Sequence, residues 1–220
     1  MDEGTERRMT MIKKNLKLLI ITSIVILLPI LAGIIFWNQL PDPMPSHWNA
    51  AGEIDGWSSK PFAVFGLPFI LVAAQWLCLL GTAADPKKQN HQEKILHLVL
   101  WIIPVLSVVM HTFVYLIALG YGLRMEVMMP VFVGVVFVII GNYMPKCKQN
   151  YTIGIKIPWT LNNEENWNKT HRLAGFVWVI CGVAIILTGF LGSFWIFLPI
   201  TLLMVLAPII YSYVLHRKGF

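Results

Sequence analysis

Six long apolar stretches constrain this chain more than any other feature, at residues 16–37, 62–83, 95–119, 127–144, 173–192 and 194–215. About 20 mostly apolar residues suffice for a helix to cross a bilayer, and lipid leaves the backbone few alternatives to a helix. The spacing therefore predicts an all-α integral membrane protein with six transmembrane helices. Only 13% of the 220 residues are charged, about half the share of a soluble domain. No length remains for a separate soluble domain. Pro130 suits the first turn of the fourth span, and Gly192-Ser193 predicts a tight hairpin between the last two.

The basic residues fix an orientation. Arg7, Arg8, Lys13 and Lys14 precede span 1, and Lys17 stands at its first turn. Lys87, Lys88 and Lys94 fall between spans 2 and 3. Lys146, Lys148, Lys156, Lys169 and Arg172 fall between spans 4 and 5, and Arg217 and Lys218 follow span 6. With both termini cytoplasmic, only Lys60 and Arg124 of the 17 Lys and Arg lie outside, as the positive-inside rule demands. The pI near 9.3 then reflects membrane topology, with no direct nucleic-acid partner implied. The first apolar run is too long for a signal-peptide core and lacks a small-residue cleavage site. Asn150-Tyr-Thr and Asn168-Lys-Thr match the glycosylation pattern but fall on the cytoplasmic side.

Two polar segments carry the remaining information. Residues 38–61 are proline-rich: Pro41, Pro43 and Pro45 favour extended backbone, Asp55-Gly56 signals a turn, and Trp37, Trp48 and Trp57 suit the headgroup level. Two readings stand open, a rigid strap joining two helices or an extracellular binding surface. For the second, Pro45, His47, Trp48, Asn49, Gly52 and Glu53 are the candidate contacts. Residues 145–172 form the other segment. Pro158 bars Ile157 from helix, and Asn162 with Glu165 resembles a capping box. The helix begun there runs into span 5 and places Trp167, His171 and Ala174 on one face. Amide-bearing Asn150, Asn162, Asn163, Asn166 and Asn168 leave two readings open, an amide-lined docking surface or an interfacial lead-in helix with a folded re-entrant loop. The domain reading is an N-terminal half, 1–144, and a C-terminal part, 145–220, within one structural unit.

Chemistry is poorly supported. No zinc-protease, hydrolase or nucleotide-binding motif occurs, and every Asp and Glu lies outside the apolar cores, which argues against a proton-coupled transporter. Cys78, Cys147 and Cys181 have no metal-ligand spacing and read as small apolar filler. His97 and His111 are about 21 Å apart along one helix and cannot share a metal. His47 with His111, or His171 with the amide-rich loop, leaves open a metal-dependent protein or membrane enzyme. Interhelical hydrogen bonds are the plainer role for His111, Gln75 and Asn142. A small-solute permease is a third class. The expectation is no cofactor, no metal and no catalysis.

Both segments carry a resemblance. PDPMPSHWNAAGEIDGWSSKP is similar to the proline-rich loop of a bacterial membrane-domain family of unknown function. GNYMPKCKQNYTIGIKIPWTLNNEENWNKTHRLAG resembles the signature region of the SdpI family, immunity proteins against the sporulation-delaying toxin of bacilli. Asn142, Asn150, Gly154, Pro158, Trp159, Thr160, Trp167, Thr170, His171 and Gly175 fall where that family has them. Lys156 stands where Arg is expected to be commoner, which keeps the charge and loses bidentate pairing. The resemblance implies a multi-pass protein of the bacterial cell membrane that protects its cell from a secreted, membrane-active peptide toxin. It further implies two partners: the toxin at the outer loop, and a small DNA-binding repressor held by the cytoplasmic surface of Asn142, Asn150, Gly154, Lys156, Pro158, Trp159, Thr160, Trp167, Thr170 and His171.

Overall fold

The computed structural model describes residues 3–49, 51–191 and 194–220. Among them, six helices are long and apolar enough to cross a membrane: Thr5–Ile35, Phe62–Ala83, Glu93–Ala118, Met125–Lys146, Glu164–Leu191 and Trp195–Arg217. All six expected spans are present, and the protein is a multi-pass membrane protein. The fifth helix starts well before the apolar run does, because the amide-rich segment joins it. The expected hairpin at Gly192-Ser193 lies outside the described residues.

The chain forms two compact units, one of residues up to Ala84 with Leu96–Leu123, the other of Asp85–Ile95 with Arg124–Phe220. The division differs from the expected boundary at 144/145. The fourth span belongs with the C-terminal unit, for a reason visible in its glycines.

In the first unit, α1 (Glu3–Ile35) packs on α2 (Leu67–Ala83), and Leu19 and Leu79 of these helices are buried with Leu96 and Leu100 of α3 (Glu93–Ala118). At about 1.5 Å per residue, the 33-residue α1 exceeds a hydrocarbon core of about 30 Å, so its basic first turns reach beyond the lipid tails. Polar side chains tie the helices internally. Gln75 Nε2 donates to Thr22 Oγ1, Trp76 Nε1 to Ser23 Oγ at 3.1 Å, and Ser107 Oγ to the Ile26 carbonyl at 2.9 Å. Gln75 thus makes the interhelical bond expected of it.

The 38–61 loop contains regular structure. Strands β1 (Met44–Trp48) and β2 (Ile54–Ser58) form an antiparallel hairpin. Its turn is not at Asp55-Gly56, which lies inside β2 opposite His47. The turn is built by Asn49, whose Oδ1 accepts the Ala51 and Glu53 amides at 2.9 and 3.0 Å, and by Gly52 at φ 80°. A side chain that satisfies two turn amides outcompetes a dipeptide signal. Gly56 is needed for another reason: a Cβ there would meet the His47 Cβ at 2.8 Å. Lys60 closes the base, donating through Nζ to the Trp37 and Leu40 carbonyls at 3.2 and 2.9 Å. Beneath the hairpin, Leu40, Met44, Ala63, Val64 and Tyr115 form one buried cluster.

In the second unit, α4 (Met125–Tyr143) lies antiparallel on α6 (Glu164–Leu191) along a seam of glycines. A Cβ on Gly134 would meet the Gly182 carbonyl at 2.5 Å, and one on Gly175 the Gly141 carbonyl at 2.7 Å. Glycines spaced by seven residues on both helices bring the backbones together where lipid offers no hydrophobic drive. Helix α7 (Phe194–Arg217) completes the unit. It is held by Asn166, whose Nδ2 donates to the Ser212 carbonyl at 3.0 Å while its Oδ1 accepts from Ser212 Oγ at 2.6 Å.

Candidate functional site

The signature segment is a folded loop, organised around side chains that bond backbone. Asn150 is buried. Its Oδ1 accepts the Thr152 and Ile153 amides at 2.9 and 2.7 Å, and its Nδ2 donates to the Lys148 and Ile153 carbonyls at 2.8 and 2.9 Å. Gln149 Nε2 reaches across the loop to the Thr160 and Leu161 carbonyls at 2.8 and 3.0 Å. Pro158 leaves Ile157 extended, as expected, and opens a short helix, α5 (Pro158–Asn162). Thr160 Oγ1 accepts the Ile157 amide at 3.1 Å and donates towards the Ile155 carbonyl at 2.7 Å.

The helix cap is a correction. Asn162 ends α5, and Asn163 starts α6: its Oδ1 accepts the Asn166 amide at 2.9 Å. The short helix begun by Pro158 uses Asn162, which shifts the cap by one residue.

Trp167 and His171 stack at 4.0 Å between ring centroids, one turn apart as expected. Both are fully buried, as are Thr160 and Thr170. They form the interior of the loop and present no surface themselves. Trp167 Nε1 donates to the Cys147 carbonyl at 2.7 Å. His171 Nδ1 donates to the Trp167 carbonyl at 2.8 Å, and Nε2 accepts the Ile155 amide at 2.9 Å. That pattern requires a neutral ring protonated on Nδ1. Gly154, at φ 122°, lies flat against this stack; a Cβ there would meet His171 Nε2 at 2.5 Å.

Outward from this interior stand Tyr151, Lys156 and Pro158, all exposed, with Trp159 half-buried against Tyr213 and His216 of α7. Asn142 is exposed on α4, so the interhelical role expected for it is not seen. The ten signature residues therefore divide into a buried frame and a smaller exposed set.

Sequence reasoning missed the clamp that holds this loop. Asp85, buried at the start of the 84–92 connection, accepts the Lys87 and Tyr151 amides at 2.7 and 2.9 Å, Thr152 Oγ1 at 3.0 Å and His91 Nε2 at 3.1 Å. Burial pushes its carboxyl up, but the four donors outweigh burial and hold it below the usual carboxylate range. Burial lowers His91, against the pull of Asp85. Lys87 Nζ donates to Gln149 Oε1, and Asn90 Nδ2 to the Gln149 carbonyl at 2.7 Å. An acid directly before Lys87 and Lys88 was the available signal, in a connection read only as topology. Burial pushes the Cys147 thiol up to about 11, against a weak bond from Asn150, which suits an inert filler.

At the hairpin, three of the candidate contacts bond within the loop. His47 Nδ1 lies 2.5 Å from Asp55 Oδ1, and Asn49 Nδ2 donates to Glu53 Oε2 at 3.0 Å. Pro45 is buried, Trp48 and Gly52 are half-buried, and His47 and Glu53 are exposed. His111 is buried and donates to the Ser107 carbonyl at 2.7 Å. Among the described residues, no group of three or more His, Cys, Asp and Glu could hold a metal ion.

The comparisons agree with this division into two segments. Residues 146–212 match the model of the SdpI/YfhL protein family, and residues 24–72 match a domain of unknown function (DUF1648). The chain is similar to the "Immunity protein SdpI" of Bacillus subtilis (strain 168), with 30% identity over 198 residues, covering 90% of this chain and 92% of that one. No solved structure matches. With the family model lying on the buried frame of the signature loop and the relative spanning nearly the whole chain, this protein belongs to the SdpI/YfhL family.

Proposed function

We propose that the protein gives its cell immunity to a secreted, membrane-active peptide toxin. The observation that carries this reading is the similarity to an immunity protein across 90% of the chain. The basic residues support an orientation with both termini and the signature loop in the cytoplasm and the 38–61 hairpin outside. In this reading the hairpin meets the toxin through its exposed His47 and Glu53, while Asn49 and Gly52 hold their geometry. The signature loop is the cytoplasmic output, and a small DNA-binding repressor is the partner it captures. Tyr151, Lys156 and Trp159 are the contacts available to that partner, and Asn150, Gly154, Thr160, Trp167, Thr170 and His171 keep them in place.

The test is toxin challenge of cells carrying the protein or its His47→Ala/Glu53→Ala variant, with membrane abundance measured alongside. Protection by the parent and reduced protection by an equally abundant variant are expected. Equal sensitivity of cells with and without the parent protein would overturn the reading.

A further inference from the structure

A buried polar group without a hydrogen-bond partner is uncommon in a folded protein and calls for a reason. Among the described residues three such side-chain atoms occur, Gln75 Oε1, His111 Nε2 and the Tyr115 hydroxyl, all in the first unit. Of these groups, imidazole is the one that ordinarily changes charge near neutral pH. His111 Nδ1 donates to the Ser107 carbonyl at 2.7 Å, which leaves Nε2 of a neutral ring as a bare acceptor. The other backbone group that interacts with the ring is the Ala63 carbonyl.

That carbonyl is free for a reason written in the sequence. Phe62–Gly66 opens the second span as a π-turn, in which the Leu67 amide bonds the Phe62 carbonyl. An α-turn would have given that amide to Ala63, and a continued π-turn would have given it the next one. The next residue is Pro68, which has no N–H. An acceptor without a donor therefore meets another acceptor without a donor. Neither tautomer of neutral imidazole resolves this, since it has one N–H for two carbonyls, whereas the imidazolium has two. Charge inside a span is costly, but charge-assisted hydrogen bonds are about twice as strong as neutral ones, and the charged ring makes two.

We infer that His111 is a proton-binding site: a proton taken from water on the hairpin side adds to Nε2, which donates it to the Ala63 carbonyl and so joins α3 to the π-turn. Ala63 and Val64 of that turn are buried with Leu40, Met44 and Tyr115 beneath the hairpin, so the bound proton ties the base of the hairpin to α3. The ionisable neighbours are few. On α3, Tyr115 meets the His111 ring edge-on at 5.9 Å between centroids. On α1 no ionisable side chain lies between Lys17 and Ile35, and residues 62–83 contain only Cys78. In the loop, Lys60 is engaged by the Trp37 and Leu40 carbonyls, and Asp42 accepts the Lys60 amide. No charged side chain is among the interactions of the ring, which leaves the two carbonyls to hold the proton. The inference does not depend on toxin immunity.

The experiment is nitrogen NMR of the full-length protein, isotopically labelled at histidine, in lipid nanodiscs from about pH 8 to about pH 5, the interval in which histidines change charge. The His111 signals are those missing from His111→Asn. One bare ring nitrogen at the alkaline end, replaced by a second N–H at the acid end, is expected. The carbonyl carbon shift of Ala63 is expected to move with the same midpoint. Pro68→Ala supplies Ala63 with the missing N–H and weakens proton binding about tenfold, the worth of one hydrogen bond to a charged group. Pro199→Ala, which removes a proline from a helix of the other unit, leaves the midpoint in place. Circular dichroism confirms folding of each variant. A His111 ring that keeps one bare nitrogen throughout overturns the inference, as does a ring protonated at both nitrogens throughout. So does an equal midpoint in the parent and a folded Pro68→Ala. An Ala63 carbonyl shift that ignores the titration of the ring overturns it without any substitution.

Discussion

At the scale of single residues, the signature loop depends on two positions where chemistry leaves little choice. Gly154 has a backbone conformation that L side chains rarely adopt, and it touches the Trp167–His171 stack. Gly154→Ala adds both strain and a clash, with a cost of about 1–3 kcal/mol from the backbone alone. The expected outcome is a lower thermal midpoint in detergent, whereas Ala at exposed Gly81, where a Cβ meets nothing, leaves it nearly unchanged. Asp85 and His91 predict a pH response. The folded carboxyl titrates below its unfolded value, so its stabilisation is present above about pH 3.9 and is lost as pH falls through the folded value. The lowered His91 likewise gives full stability above its unfolded value near 6.5 and loses it on acidification below that. Both act in the same direction. Thermal midpoints should fall as pH drops from about 7 towards 5, with a shallower slope in His91→Gln. A parent and variant with equal slopes would remove His91 from the account.

At the scale of elements, the α6 cap and the glycine seam give separable tests. Asn163 bonds the Asn166 amide, whereas Asn162 ends the preceding short helix. Asn163→Ala is expected to cost about 1 kcal/mol, typical of losing an N-cap, and Asn162→Ala less; the two midpoints compare them directly. On the seam, Gly182→Leu places a side chain against the Gly134 carbonyl, 2.8 Å from where its Cβ would stand. Overpacking of that kind costs about 1–3 kcal/mol. Faster proteolysis of the 124–220 segment is expected, while Gly122→Leu, with open space around its Cβ, behaves as the parent. The hairpin offers the same logic. Asn49→Ala leaves the Ala51 and Glu53 amides without their acceptor, so increased amide exchange at those two positions is the expected signature.

At the scale of the whole molecule, the orientation that gives the two loops their proposed roles is open to direct measurement. Reporter fusions after Arg217 and within 146–156 are expected to read cytoplasmic, and one at Ser46 external. An external signal from the signature loop would remove its role as an output surface and leave the hairpin facing the wrong compartment for a secreted toxin. Loss of repressor capture in Lys156→Glu, with normal membrane abundance and folding, is the companion expectation. Trp167→Ala would instead lower abundance, because that ring is part of the core.

The sequence by itself determined the membrane class, the six spans and the family. Long apolar runs have one dominant solution in lipid, and basic residues and motif strings are legible without coordinates. Pro158 also spoke plainly, because its ring restricts its predecessor whatever surrounds it. Only the tertiary structure decided which signature residues are frame and which are surface. Nothing in the order of letters says that Trp167 and His171 face inward, or that Gly154 lies against them. The Asp85 clamp joins residues 66 and 67 positions apart, a pairing that local spacing cannot encode. The hairpin turn moved from Asp55-Gly56 to Asn49–Gly52 because the Asn49 side chain satisfied two amides that a dipeptide pattern does not count. The fourth span joined the C-terminal unit because two helices can come so close only where their glycines coincide, and that coincidence exists in space alone.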